Sequence, residues 1–194
     1  MKIVGKSINL RSFQESDIED YIRWFTLETE WLNWDAPWED YSDFDTEQYR
    51  NLQLQRLKDP EEPAFHHRLE IENKDLEHVG LVGSYYIDRN YNLGNSQDYL
   101  TIGIDIPPIN QRGKGYATEA WILYITYIFE QGHAEVYTQT WEGNARVMGL
   151  MKKLGFELVN VAESKYIVQG TPVDYYSYKL IKKKFEQFTS EYLN

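Results

Sequence analysis

Gln111-Arg112-Gly113-Lys114-Gly115-Tyr116-Ala117-Thr118 joins two cationic side chains and two glycines to the start of an apolar segment, a grouping suited to holding a phosphate. Gly113 and Gly115 carry no Cβ, so the backbone there can adopt positive φ and approach an anion closely. Unpaired N–H groups at a helix start, the positive end of its dipole, and the charges of Arg112 and Lys114 all favour the same ligand. On spacing alone three readings stay open. A dinucleotide fingerprint would have its third glycine where Thr118 stands, and a P-loop would end in Gly-Lys-Ser/Thr, which is absent. An ordinary tight turn with no ligand is the third.

Acid–base chemistry has its own candidates. Asp105 sits in Gly103-Ile104-Asp105 on the same strand face as Thr101, where a strand-end Asp bonding the adjacent turn is the simple reading. Asp98 and Glu142 read as solvated loop residues. From Trp24 to Tyr49 the chain carries Glu28, Glu30, Asp35, Glu39, Asp40, Asp43, Asp45 and Glu47 among Trp31, Trp34, Trp38, Tyr41 and Phe44, with no Lys, Arg or His. Carboxylates attract a cationic amine and aromatic faces hold it, so Trp34, Asp35 and Glu39 are the substrate-binding candidates. Trp31, Trp34 and Trp38 also have helical spacing and suit a core or an oligomer contact. His66, His67, His78 and His133 form no metal-ligand spacing, because neighbours on a strand face opposite ways; no metal is expected. No Ser-His-Asp set emerges from spacing either.

The elements that must position these groups follow an α/β order. Ser7 to Arg11 is a short strand, and Ser16-Asp17-Ile18-Glu19 reads as a capping box opening a helix with Ile18, Tyr21, Ile22 and Phe25 on its apolar face. Asp45 to Leu57 is a second helix, ended before Pro60. Phe65 to Glu72 and Val79 to Asp88 read as an antiparallel pair. Ile102, Ile104 and Ile106 alternate with polar residues, so Tyr99 to Ile106 is the strand feeding the glycine turn, and Tyr116 to Phe129 is a buried helix. Glu135 to Thr140 is a strand, Asn144 to Leu154 a helix, and Phe156 to Val168 with Val173 to Leu180 a hairpin around Gly170. Tyr99 to Thr140 predicts a right-handed parallel crossover, the rest antiparallel. Lys182-Lys183-Lys184 opens a short solvated helix.

At 194 residues the chain suits one domain, 1–194, and 42% hydrophobic with 15% aromatic residues makes it globular. A net charge of -11 argues against nonspecific nucleic-acid binding and favours a cationic small molecule or a basic peptide. The absence of cysteine excludes disulfides and a cysteine nucleophile. No apolar run is long enough to cross a bilayer and no apolar core follows Met1 to Gly5, so no membrane and a cytoplasmic location are expected.

Two segments together resemble a known family. Arg112-Gly113-Lys114-Gly115-Tyr116-Ala117 fits the Q/R-x-x-G-x-G/A pyrophosphate loop of the GCN5-related N-acetyltransferases (GNAT), and Gly115 to Ala120 is similar to the RimJ/RimL-type branch. Trp141-Glu142-Gly143-Asn144-Ala145-Arg146-Val147-Met148, with Lys153-Leu154-Gly155-Phe156 after it, resembles that family's strand, Asn, helix and terminal K-x-G-F. The resemblance spans Leu10 to Leu180 and is strongest after Tyr99. It implies an α/β GNAT fold: a mixed, mostly antiparallel sheet whose parallel strands splay to admit the pantetheine arm of acetyl-CoA. Backbone near Ile104 and Ile106 would hold the pantetheine, Arg112 to Thr118 the pyrophosphate, and Asn144 the thioester end, while also capping its helix. Arg146, Lys152 and Lys153 are further phosphate candidates, the lysines reading more simply as solvated.

The implied reaction is direct acetyl transfer in a ternary complex to a primary amine, either a protein N-terminus or a small cationic molecule. A protonated amine must lose its proton, the oxyanion wants an N–H donor, and the departing thiolate wants a proton or a positive field. Placing the reactants together supplies much of the rate. The chain departs from the family at three positions: Thr101 where a Glu is common, Met151 where a Tyr often serves as thiol acid, and Val147 where the RimL-like pattern has Ser. Asp105, which shares the face of Thr101 and stands in a G-I-D similar to that of some aminoglycoside 6'-N-acetyltransferases, is then the first candidate for general base, against the reading of a strand-end Asp bonding its turn. These departures leave a CoA-binding regulatory module without turnover as the alternative. The aromatic segment, which in the family borders the acceptor site, also offers a homodimer contact.

Overall fold

The computed structural model describes residues 1–58 and 63–193, so Pro60, expected to end the second helix, lies outside the described residues. Strands β1 (Lys2–Val4) and β2 (Ile8–Arg11) precede helix α1 (Asp17–Thr26), a 3-10 turn (Thr29–Asn33) and α2 (Thr46–Lys58). Then come β3 (Arg68–Asn73), β4 (His78–Ile87), β5 (Tyr99–Asp105), α3 (Tyr116–Glu130), β6 (Tyr137–Trp141), α4 (Ala145–Leu154), β7 (Phe156–Val168), β8 (Thr171–Leu180) and α5 (Lys182–Leu193). Eight strands form one sheet in the order β1-β2-β3-β4-β5-β6-β8-β7. Every described pairing is antiparallel except β5 with β6.

The parallel pair is short, and this makes the site. Pairing joins Thr101 to Tyr137 and Ile102 to Thr138, where the Thr138 hydroxyl also donates to the Ile102 carbonyl at 2.8 Å. Beyond that point β5 runs on to Asp105 and β6 to Trp141 with no pairing between them. A fork therefore opens in the middle of the sheet. On its other edge β5 stays zipped to β4 as far as Leu81 opposite Asp105. Gly80 is required there, since a Cβ would lie 2.1 Å from the Asp105 carbonyl oxygen.

Helix α3 is apolar nearly all round because it is the central buried helix. Ala120, Trp121, Tyr124, Ile125 and Ile128 have no accessible surface, and the helix lies across β2, β4 and β5. Its buried Glu119 accepts from the backbone N–H of Ser7 at 2.9 Å, and from that of Lys6, so the same helix closes the β1–β2 turn.

Three expectations need correction, and one strand escapes the sequence pattern. Ser16 makes no side-chain cap; Asp17 instead accepts from the Gln14 N–H at 2.8 Å, and Glu19 pairs with Arg50. The strand expected from Phe65 begins at Arg68, because Phe65 packs on Tyr127 and the backbone N–H of His66 bonds the Tyr127 hydroxyl. Lys2–Val4 adds an edge strand too short to show a periodicity. The terminal helix is not merely solvated: Phe185, 3% exposed, belongs to the main core.

Candidate active site

The glycine turn has the geometry of an anion cradle. Gly113 and Gly115 hold φ of +75° and +86°, values that side-chain-bearing residues avoid, and Gly115 is the N-cap of α3. The space where each Cβ would project is open. Among the described residues, the N–H groups of residues 113–118 have no acceptor; the Glu119 N–H is the first that does, bonding the Gly115 carbonyl at 3.2 Å. These donors sit at the positive end of α3 and are fit to hold a diphosphate.

Of the two cations of the turn, Arg112 is held within the chain and Lys114 is exposed. Arg112 Nε donates to the Ile106 carbonyl at 2.7 Å, Nη2 to the Pro107 carbonyl at 2.7 Å, and Nη1 to Glu30. Its guanidinium thus braces the end of β5 and does not project from the turn as a free charge. Lys114 is exposed and donates to the Gln111 amide oxygen at 2.8 Å. Tyr116 and Ala117 are half-buried, and Thr118 is buried with its hydroxyl 3.4 Å from Lys153 Nζ.

From this turn a cleft of about 800 Å³ follows the fork, passing Ile104 and Ile106 on one side and Thr138, Thr140 and Asn144 on the other. Asn144 caps α4, its Oδ1 accepting from the Val147 N–H at 3.2 Å, so the capping role is filled. Its Nδ2 donates to the Trp34 carbonyl at 2.8 Å, and the Trp141 indole donates to the same oxygen at 2.9 Å. Trp34 is therefore brought to the far lip of the cleft. Thr101 and Met151, two of the three departures from the family pattern, are fully buried, Met151 within the main core.

The far end of the fork collects Asp105, Asp35 and Glu39. Among the described residues none of these carboxylates forms an ion pair or accepts a hydrogen bond. Burial pushes Asp105 well above the usual carboxylate range, the nearby Asp35 adds to this, and Arg68 and Arg112 offset only part of it. Asp35 opens onto the cleft but is ringed by protein; that burial raises it, and Glu39 contributes. Tyr41, facing all three, is raised to about 12, by burial first and then by their charges.

Trp38, with tyrosines that no sequence pattern singles out, completes this end. Trp38 stacks face to face on Tyr166 with ring centroids 3.8 Å apart, and Tyr175 packs edge-on against both. Tyr85 stands behind them, its hydroxyl 3.4 Å from Gln139 Oε1. Tyr166 and Tyr175 come from the last hairpin, remote in sequence from Trp38. A tyrosine on a half-exposed strand looks alike whether it lines a site or covers a sheet.

A second, polar cleft of about 590 Å³ lies beside α1. It contains Asp17, Asp20 and His78, whose ligand atoms lie within 4.8 Å of one another, a convergence that spacing alone did not reveal. These groups already satisfy each other. Arg11 donates to both oxygens of Asp17 at 2.7 Å and to Glu72 at 2.9 Å. His78 lies 3.1 Å from Asp20 and 3.0 Å from Glu70. Burial lowers the His78 pKa, but those carboxylates outweigh it and push the group up to about 9.

Comparison with known proteins agrees with this geometry. Residues 7–157 match the family described as acetyltransferase (GNAT) domain. No curated protein matches the sequence at a significant level. Among solved structures, an acetyltransferase of the GNAT family from Bacillus anthracis is 17% identical, with 94% of this chain and 99% of that one covered at a TM-score of 0.71. A spermidine N-acetyltransferase from Vibrio cholerae, in complex with CoA and spermine, is 15% identical over 94% and 99% of the two chains, with a TM-score of 0.70. A ribosomal-protein-S5-alanine acetyltransferase from Vibrio fischeri is 18% identical over 93% and 96%, with a TM-score of 0.69. At such identities the likeness is one of fold. No helix among the described residues is long and apolar enough to cross a membrane.

Proposed function

The chain belongs to the acetyltransferase (GNAT) family, and on that premise we propose that it transfers the acetyl group of acetyl-CoA directly to the primary amine of a small cationic molecule. One observation carries the reading: the fork between β5 and β6 leads from a row of free N–H donors to carboxylates that have no cation.

Acetyl-CoA supplies an activated thioester when bound. The N–H groups of Gly113, Lys114, Gly115, Tyr116, Ala117 and Thr118 would hold its pyrophosphate, with Lys114 free to add charge from solvent. The backbone at Ile104, left unpaired on the β6 side, would align the pantetheine arm as an added strand, with Ile106, whose carbonyl Arg112 holds, continuing that edge. Asn144 acts here through its tie to Trp34, fixing one lip of the cleft.

Asp105 is the base in this reading. A carboxylate held above its usual range by burial and by Asp35 is a better proton acceptor from an ammonium than a solvated one. Asp35 and Glu39 attract the amine as a cation, and Trp34, Trp38 and Tyr166 offer it aromatic faces. The aromatic wall and the carboxylates favour a small cation over a protein N-terminus, which is the acceptor class of the RimJ/RimL-type branch.

Calorimetry with coenzyme A and a panel of amines and N-terminal peptides, followed by thiol release, test this. Saturable binding and turnover of at least one small amine are expected. No coenzyme A binding would overturn the reading, and binding without turnover of any amine would put the regulatory module in its place.

A further inference from the structure

Glu30 is the one carboxylate of the acidic segment that reaches the cleft and is fully engaged there. It sits in the 3-10 turn, its side chain 37% exposed, and accepts from Arg112 Nη1. It also accepts from the Trp34 indole at 2.7 Å and lies 3.8 Å from Arg146 Nη1. Arg146 in turn lies over the Trp34 ring, 4.5 Å from its centroid. Arg112 belongs to the β5 lip of the fork, where it grips the Ile106 and Pro107 carbonyls; Arg146 belongs to α4, on the β6 lip. The Trp34 carbonyl is held on that second lip by Trp141 and Asn144. Hydrogen bonds from Trp34 and Arg112 keep Glu30 below the usual carboxylate range although burial opposes this.

We propose that Glu30 is a positioning residue for acyl transfer: by binding Arg112 and Arg146 at once it straps the acceptor segment across both lips and sets Trp34 and Asp35 over the cleft. Its neighbours cannot do this. Glu28 pairs with Arg23 on α1, and Asp40 and Asp45 accept from local backbone N–H groups. The strap depends on charge and is partly exposed, so salt weakens it. It is also local, since the core beneath is held by Trp24 and Trp31.

Glu30→Gln isolates the charge, because the amide oxygen still accepts from the Trp34 indole. Amide hydrogen exchange of residues 29–36 is followed in the full chain at about 0.02 and 1 M salt, where screening lengths differ several-fold. The wild type should exchange faster at high salt; the variant should exchange roughly tenfold faster than wild type at low salt and respond little to salt. Coenzyme A affinity by calorimetry should stay within about twofold, whereas KM for the best amine of the panel should rise roughly tenfold with kcat little changed. Unchanged exchange, or a loss of coenzyme A affinity matching the rise in KM, would overturn the strap. This inference rests on the acetyl-transfer reading only in its kinetic arm. Should no amine turn over, that reading fails, while exchange and calorimetry still decide the role of Glu30.

Discussion

Two groups of carboxylates, built from the same residue types, face opposite fates in this molecule. Beside α1, Asp17, Asp20, Glu70 and Glu72 are met by Arg11, Lys2, Arg68 and His78, so that buried charge is balanced at each step. At the fork, Asp35, Glu39 and Asp105 have no counter-ion among the described residues. The first group is scaffold, because its electrostatic demand is answered within the chain. The second is the proposed site: Asp105 is only partly offset by Arg68 and Arg112, and Asp35 and Glu39 face solvent, so their charge is left for a bound cation. Presence of acidic residues therefore says little about function; whether their cations are already supplied says much more.

The largest test of that contrast is to remove a cation from the balanced group. Arg11→Met strips buried Asp17 of its two-pronged partner and leaves Glu72 with Lys2 and Asn9 alone, and should lower stability by about 3–5 kcal/mol. A loss under about 1 kcal/mol in denaturant unfolding would show that the group is not the scaffold described. Next is the pH dependence of the same group. The pKa of His78 is raised on folding from 6.5 to about 9. Its contribution is therefore complete below pH 6.5, where His is protonated in both states. It is lost as pH rises through about 9. The linkage is on the order of 3 kcal/mol. Stability measured across this window should fall in the wild type and stay flatter in His78→Gln; parallel curves would refute the assignment.

At the fork the sign reverses. Asp105→Asn removes an unanswered charge, so it should leave stability unchanged or raised by about 1 kcal/mol, while slowing acyl transfer about a hundredfold, within the range for losing a general base. Coenzyme A affinity should be unaltered. Wild-type turnover would remove Asp105 as base, and a destabilised variant would place it in the scaffold instead. Smaller in effect is Gly115→Val. A β-branched residue forced to φ +86° costs about 1–3 kcal/mol and should weaken coenzyme A binding by roughly ten- to a hundredfold. Equal affinity would show that the turn's shape is not what holds the cofactor.

Those two variants also mark what the sequence could and could not reveal. The glycine turn was readable because its parts are contiguous: alternating Ile102, Ile104 and Ile106, positive-φ glycines and an apolar helix follow one another along the chain. The motif did not, however, tell what Arg112 does. Its position in the pattern suggested a phosphate contact, and the structure spends its guanidinium on the Ile106 and Pro107 carbonyls and on Glu30. The acceptor end was only half legible. A run of acids and aromatics free of cations points to Asp35, Glu39 and Trp34 as the proposed acceptor residues. The partners Tyr85, Tyr166 and Tyr175 arrive by tertiary packing from three distant strand positions, and no local period encodes that. His78 has no metal-ligand spacing in the sequence, yet it lies between Asp20 and Glu70 within a buried network, an arrangement that depends on β3, β4 and α1 meeting in space.

The finest test compares the carboxylates within the fork. Asp35 contributes to holding Asp105 above its usual range, second to burial. Asp35→Asn removes that like charge and leaves burial in place, so the Asp105 pKa should fall part of the way. A base must be deprotonated to act, and the acid limb of the kcat/KM profile reports when it becomes so. That limb should therefore move to lower pH. The direction is diagnostic. If the limb moved to higher pH, Asp35 would be stabilising the charged base rather than opposing it. If it did not move, the two carboxylates would be electrostatically separate, and the fork would hold independent acids rather than a coupled pair tuned for one amine.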